Sequence, residues 1–368
     1  MNKLNVLSVN ISEKKGTIKL PVPSITLMDN GVEGDAHSGP WNRQVSLLGV
    51  ESIRKFEQEA KRKIGYGEFA ENITTEGLEL WKCQPLDRFV GEDVVLEVTQ
   101  IGKECHGTSC SIFREVGNCV MPKEGIFARA VGSSQFAVRS SQFAVGSGQF
   151  AVRSSQFAVR SSQNTDAGSR ILKPETTLLY QPKIFSARII TLSDRAFRGE
   201  YEDKSGPRIR EILENQFASG QLAVGSKNQP HPSSLVPHPS SLVPRLSSFV
   251  TLLPDNPDQL LNTLTEAIEA GVDFIFTTGG TGIGHRDFTP DVVKPLLDKE
   301  IPGIMEMIRM KYGAEKHQAL LSRGIAGVAG NTLIFTLPGS VKAVNEYMSE
   351  ILKSLMHMVY MLHGLDTH

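Results

Sequence analysis

Little in this sequence argues for a membrane, a secreted framework or a nucleic-acid surface. No stretch reaches the roughly eighteen consecutive apolar residues that a spanning helix needs. The opening residues, MNKLNVLSVNISEKKG, lack the continuous apolar core of a leader peptide, so a soluble, cytoplasmic protein with no membrane partner is expected. Cysteine is scarce: the 4 thiols sit at 83, 105, 110 and 119. That crowding in the first third suits a local site better than a disulfide framework. Surplus charge is also missing. Lys+Arg 39 against Asp+Glu 40 leaves neither a basic footprint for nucleic acid nor an acidic tail, and points to small-molecule chemistry. The 368 residues are enough for two domains, each with its own core.

Two low-complexity tracts divide the chain. A seven-residue unit, SSQFAVR, recurs with variants from Ser133 to Gln163. Phe136, Ala137 and Val138 are contiguous, which smears them around a helix and excludes a coiled-coil seam. An odd repeat also flips the apolar set of a strand to the opposite face at each cycle. The tract therefore reads as a flexible inserted linker over 132–183. A second tract, 217–247, echoes the repeat in FASGQLAVGS and carries HPSSLVP twice, and its proline and serine content predicts a loop.

Before the first tract, residues 1–131 read as β-rich. Short strands are predicted at 4–9, 44–48 and 93–98, with one helix over 50–63 where Ile53, Phe56 and Ala60 recur at helical spacing. A compact β-barrel follows from this. From 184 to 368 strand and helix alternate: strands at 187–192, 249–253, 272–276 and 332–337, helices at 207–214, 258–270, 303–312 and 340–362. That alternation predicts a three-layer α/β domain with a mostly parallel sheet.

The stretch TTGGTGIGHRDFTPD, 277–291, follows the apolar run Val272 to Phe276. Gly279, Gly280, Gly282 and Gly284 let the backbone turn and present bare N–H groups. Thr289 is expected to cap a helix with Pro290 in its first turn. Such a helix end would favour an anion by roughly 0.3–1 kcal/mol when exposed. The common phosphate motifs do not fit. A P-loop requires Lys and then Ser or Thr where His285 and Arg286 stand, a dinucleotide fingerprint requires glycine at His285, and a kinase catalytic loop requires Asn at Val292. Asp287 has two readings: it caps a turn, or it stands near phosphate through a divalent cation, which makes magnesium a reasonable inference.

Ligands in parallel sheets bind beyond the carboxyl ends of the strands. Four polar clusters occupy such positions: Ser193 and Asp194 with Asp203 and Ser205, then Asp255, then the glycine loop with Thr281 and Asp287, then Pro338, Gly339 and Ser340. Phosphoryl and nucleotidyl transfer need mainly positioning and charge neutralisation, which this inventory suits.

Through TLSDRAFRGEYEDKSGP, LLPDN, TTGGTGIGHRDFTPD, ALLSRGIAG and TLIFTLPGSVKAV, residues 184–368 resemble the molybdopterin adenylyltransferase family of molybdenum cofactor biosynthesis. The resemblance implies transfer of AMP from ATP to the terminal phosphate of molybdopterin with Mg2+, in a protein that is usually a homotrimer. It implies that Asp255 and Asp287 are catalytic and hold the metal, that Gly279, Gly280 and Gly282 cradle phosphate, and that Ser322 and Arg323 lie near the pterin. Other cofactor-biosynthesis proteins are possible partners.

The first half offers GDAHSGPWNRQVSLL, FAENITTEGL and IGKECHGTSC, richer in Asp, His, Arg, Glu and Asn than turns require. Zinc on Cys105, His106 and Cys110 would lack a paired CxxC signal. A thiol activated by Lys103 beside Cys105 and an inert cysteine both remain open. This half resembles the MOSC domain, named after the C-terminal domain of molybdenum cofactor sulfurase. The resemblance implies a barrel that binds pterin cofactor or carries sulfur on a cysteine, with Cys105 the first choice. Asp35, His37, Arg43 and Asn72 match motif positions. Two other readings of the whole stay open: a carrier that only binds the pterin, and a sulfur-transfer protein centred on Cys105 and trimerised by its second half.

Overall fold

The computed structural model describes residues 3–103, 119–131, 170–218 and 245–365. It divides into two compact units, Met1–Lys183 and Ile184–His368.

The first unit is built around a closed barrel. Its strands are β1 (Lys3–Ile11), β5 (Val45–Gly49), β6 (Ile73–Glu76), β7 (Arg88–Val90), β8 (Val95–Ile101), β9 (Ile126–Ala130) and β11 (Thr177–Gln181). Hydrogen bonding runs β11-β7-β8-β9-β5-β6-β1, and β1 pairs again with β11 to close the ring. The short β2 (Leu20–Val22) adds to β1, while β3 (Ile25–Met28), β4 (Gly31–Val32) and β10 (Arg170–Leu172) form a small separate sheet. Side chains alternate as a half-buried strand requires: Leu4 and Val6 of β1 are buried, and Lys3 and Asn5 are exposed. Leu47, Ile73, Phe89, Leu96, Val98 and Leu178 complete the same core. Helix α1 (Val50–Ala60) buries Ile53 and Phe56, and the Phe56 ring meets Phe69 edge-on at 5.0 Å. A short α2 (Met121–Glu124) precedes β9.

The boundary expected at residue 131 is corrected. Residues 170–183 belong to the barrel: Thr177, Leu178 and Leu179 pair with Asn5, Leu4 and Lys3, and Leu179, Tyr180 and Gln181 pair with Val90, Phe89 and Arg88. Buried Asp87 secures the returning segment, accepting from the Tyr180 hydroxyl at 2.7 Å and the Lys183 N–H at 2.9 Å. Without β11, the strands β1 and β7 would both present unpaired backbone groups. The repeat tract is thus inserted within the first unit; its residues 132–169 lie outside the described residues.

The second unit has a six-stranded sheet in the order β13-β12-β14-β17-β16-β15. Here β12 is Phe185–Leu192, β13 Leu246–Leu253, β14 Phe274–Thr278, β15 Lys299–Glu300, β16 Ala326–Ala329 and β17 Thr332–Leu337. The first four in that order are parallel, β16 pairs antiparallel with β17, and β15 pairs antiparallel with β16. Helices α3 (Asp194–Phe197), α4 (Ser205–Ala218), α5 (Pro257–Glu269), α6 (Thr289–Val293), α7 (Pro302–Gly313) and α8 (Val341–Leu362) connect them. Ile190, Ile275 and Ile334 pack with Leu260 and Leu264 of α5 and Val293 of α6. Phe274 and Phe276 point to the opposite face by strand alternation, which gives the three layers. Among the described residues no helix is long and apolar enough to cross a membrane.

The second tract is also shorter than 217–247. Phe217 closes α4 with 5% exposure, its ring 5.4 Å from Phe185 and 6.0 Å from Phe274, while Leu246 and Ser247 already pair with Phe185 and Ser186. Hydrophobic burial at the helix end outweighs the local resemblance to the repeat. Phe217→Ala is expected to cost about 3–5 kcal/mol, read as a lower denaturant midpoint for the second unit's unfolding transition. Residues 219–244 lie outside the described residues.

Candidate functional site

The carboxyl ends of four parallel strands are tied together. After β12, Ser193 caps α3 by accepting from the Ala196 N–H at 3.2 Å, and its hydroxyl lies 2.8 Å from the Tyr201 hydroxyl. Asp194 Oδ1 accepts from the backbone N–H of Asp255, after β13, at 2.9 Å. Asp194 Oδ2 also stands 3.9 Å from Arg286 of the glycine loop after β14. That loop meets the end of β17: Gly279 N–H donates to Leu337 O at 3.0 Å and Thr278 Oγ1 donates to Pro338 O at 2.9 Å. Ser205 at the start of α4 donates to Gly339 O at 2.6 Å, and Ser340 caps α8 by accepting from the Ala343 N–H at 3.2 Å. Asp203, expected at the site, instead accepts from the Thr191 hydroxyl and from the N–H groups of Ser205 and Gly206.

Gly279 and Gly280 have φ of +104° and +63°, which L side chains rarely adopt. A Cβ on Gly279 would collide with Leu192 O, so only glycine lets the β14 loop lie against the end of β12. Thr289 departs from its expected role. It is the first residue of the five-residue α6, with Phe288 at the cap, and its buried hydroxyl donates to Gly279 O at 2.9 Å. A carbonyl left at the strand end takes the hydroxyl that a helix cap would have used. The N-terminus of so short a helix contributes little, and the anion-holding capacity rests on the loop's own N–H groups.

Asp287 does cap a turn, since Oδ2 accepts from the Gly284 N–H at 2.8 Å. Its Oδ1 and both carboxylate oxygens of Asp255 make no hydrogen bond among the described residues. Among those residues no group of three or more His, Cys, Asp or Glu side chains is placed to hold a metal. Magnesium commonly takes only one or two carboxylates and completes its shell with water and phosphate oxygens, a role this donor set fits.

Ser322 and Arg323 are engaged internally. Ser322 Oγ accepts from Tyr347 at 3.0 Å, and burial pushes the Tyr347 hydroxyl pKa up. Arg323 donates to Gly282 O at 2.7 Å and pairs with both oxygens of Asp291 at 2.9 Å, a partner that sequence reading missed. Hydrogen bonding to Arg323 holds the Asp291 carboxyl below the usual range.

In the first unit, Asp35 and His37 come together around a lysine that no motif marked. Lys19, 2% exposed, donates to Asp35, and its Nζ lies 3.4 Å from His37 Nδ1. Asp35 also accepts from the N–H groups of Ser12 at 3.0 Å and His37 at 2.9 Å. Burial pushes the Asp35 carboxyl up, but hydrogen bonds from His37 and Lys19 outweigh it and hold the carboxyl below the usual range. Glu71 is fully buried, its Oε2 has no hydrogen-bond partner among the described residues, and burial raises its pKa. Asn72 is placed as a clamp: Oδ1 accepts from the Ser46 N–H and hydroxyl, and Nδ2 donates to Asn10 O. Arg43 is exposed, with no hydrogen bond or ion pair among the described residues. Cys105, His106 and Cys110 lie outside the described residues; Cys119 is half-buried.

Fold and site together define a closed β-barrel followed by an α/β domain whose glycine loop and carboxylates gather at the carboxyl edge of a parallel sheet. Comparison with known proteins makes the class specific. Residues 34–123 match the MOSC domain, and residues 246–357 match the probable molybdopterin binding domain. The molybdopterin adenylyltransferase of Pyrococcus furiosus is 35% identical over 183 residues, covering 48% of this chain and 91% of the relative. The molybdenum cofactor synthesis protein cinnamon of Drosophila melanogaster is 33% identical over 175 residues, 47% of this chain but 25% of the relative, so the chain spans about a quarter of that protein's length. A solved structure of the tungsten cofactor synthesizing protein MoaB from Pyrococcus furiosus is 33% identical, covering 49% of this chain and 98% of that one, with a TM-score of 0.39. The chain belongs to the molybdenum cofactor biosynthesis proteins, with a MOSC domain in front of a molybdopterin-binding-type domain.

Proposed function

We propose that the second unit transfers AMP from ATP to the terminal phosphate of molybdopterin, and that the barrel binds the same cofactor or carries sulfur on Cys105. The observation that carries this reading is the knitting of four strand ends at one sheet edge, through Asp194, Asp255, the glycine loop and Gly339. In the reaction a phosphate oxygen of molybdopterin attacks the α-phosphorus of ATP. A new P–O bond forms as the bond to the bridging oxygen breaks, and pyrophosphate leaves. The N–H groups of Gly280, Thr281 and Gly282 hold and orient phosphate, with Ser193 and Ser340 at the rim. Asp255 and Asp287 would hold magnesium, which when bound neutralises phosphate charge. The working form is a cytoplasmic homotrimer.

The test is to incubate the purified full chain with molybdopterin, ATP and Mg2+. Adenylylated molybdopterin and an equal amount of pyrophosphate are expected, and their absence while pterin still binds would leave only a carrier.

A further inference from the structure

We propose that Arg323, paired with Asp291, is a positioning residue that sets the shape of the glycine loop and the aim of Asp287, and that it does not hold the pterin. The kinetic part rests on the adenylyl-transfer reading.

A loop with glycine at 279, 280, 282 and 284 has little conformational preference of its own, so its shape must come from elsewhere. Arg323 supplies it. Its backbone N–H donates to Thr281 O at 2.8 Å, its Nε to Gly282 O at 2.7 Å, and its Nη2 to the Asp287 carbonyl. The same guanidinium meets Asp291 with Nη1 on Oδ1 and Nη2 on Oδ2, both at 2.9 Å. A guanidinium has five N–H donors. Nε, both Nη2 hydrogens and one Nη1 hydrogen are used here, and no two-pronged face remains for a phosphate.

The geometry links this clasp to the carboxylate. A Cβ on Gly282 would lie 2.7 Å from Asp287 Oδ2, so the carboxylate rests against the peptide whose carbonyl Arg323 grips. The gripping segment is itself held, because Arg309 Nη1 donates to Ser322 O at 3.4 Å and Gly324 O at 2.9 Å. Arg309 thus anchors residues 322–324, Arg323 anchors the loop, and the loop directs Asp287.

The test compares Asp291→Asn with Arg323→Lys in the full chain. Asp291→Asn weakens the clasp without altering Arg323 itself. Both variants are expected to lower kcat roughly ten- to a hundredfold, the order lost when a reacting group shifts by about an ångström, and to change KM for molybdopterin by the same factor as each other, since both loosen the same loop. Both are also expected to speed hydrogen exchange at the amides of 282–287. Exchange needs no substrate, so it reads the clasp even if the wild-type chain forms no adenylylated product. Unchanged exchange in both variants overturns the proposal. So does a tenfold weaker molybdopterin affinity in Arg323→Lys that Asp291→Asn does not share.

Discussion

Asp287→Asn is expected to lower the rate of AMP transfer by roughly 10²–10³-fold, the order lost when one preorganised group facing developing charge is removed. The substitution is chosen for what it keeps. Asp287 Oδ2 accepts from the Gly284 N–H at 2.8 Å, and an amide oxygen can accept the same bond. The turn from Gly284 to Asp287 therefore survives, and the volume beside Gly282 is unchanged. What disappears is the negative charge. Molybdopterin binding should persist, because the loop N–H groups that hold phosphate are untouched. Product formation at saturating ATP and Mg2+, measured beside pterin binding, separates the two roles of this residue. Wild-type turnover in Asp287→Asn would reduce Asp287 to a turn cap.

The second large effect is expected in the barrel. Lys19→Met should destabilise the first unit by about 3–5 kcal/mol, the usual result of leaving one member of a buried ion pair without its partner. The side chains of Lys19 and Asp35 are 1% and 0% exposed, and the carboxylate would keep only the N–H groups of Ser12 and His37 with the nearby imidazole. Acid should reveal the same pair in the wild-type chain. The folded state holds Asp35 below its ordinary pKa, so at acid pH the folded chain binds fewer protons than the unfolded one. The contribution is fully present above about pH 4, the unfolded value, and is lost as pH falls below it towards the folded value. Urea unfolding of the first unit from pH 7 downwards should show a steeper loss for wild type than for Asp35→Asn. Parallel curves, or a Lys19→Met cost below about 1 kcal/mol, would show the pair to be stabilising nothing.

Much of the second unit was legible because its signals are local. A strand buried on both faces must be largely apolar, and β14 opens on Phe274, Ile275 and Phe276, with all its residues buried. The polar residues that follow each parallel strand come after the apolar run ends, so their gathering at one edge follows from topology alone. The last helix, expected over 340–362, runs Val341–Leu362 with Ser340 as its cap. In the barrel the sequence marked β1, β5 and β8 with the helix α1, and left β6, β7, β9 and β11 unmarked. The closing strand comes after a low-complexity tract, and nothing within 177–181 states that its partners are residues 3–5 and 88–90.

By itself the sequence determined the two-unit organisation, the alternation that builds the parallel sheet, and the glycine loop with its neighbouring carboxylates. All of these depend on side-chain periods and turn chemistry within a few residues. Only the tertiary structure decided which polar groups became partners. Thr289 turned from a helix cap to Gly279, Arg323 gained Asp291 as its ion-pair partner, and Lys19 went from an unremarked residue to the buried counterion of Asp35. The physical reason is common to the three. A polar group removed from water takes whichever donor or acceptor the fold brings within about 3 Å, and for these side chains that neighbour lies ten or more residues away in the chain.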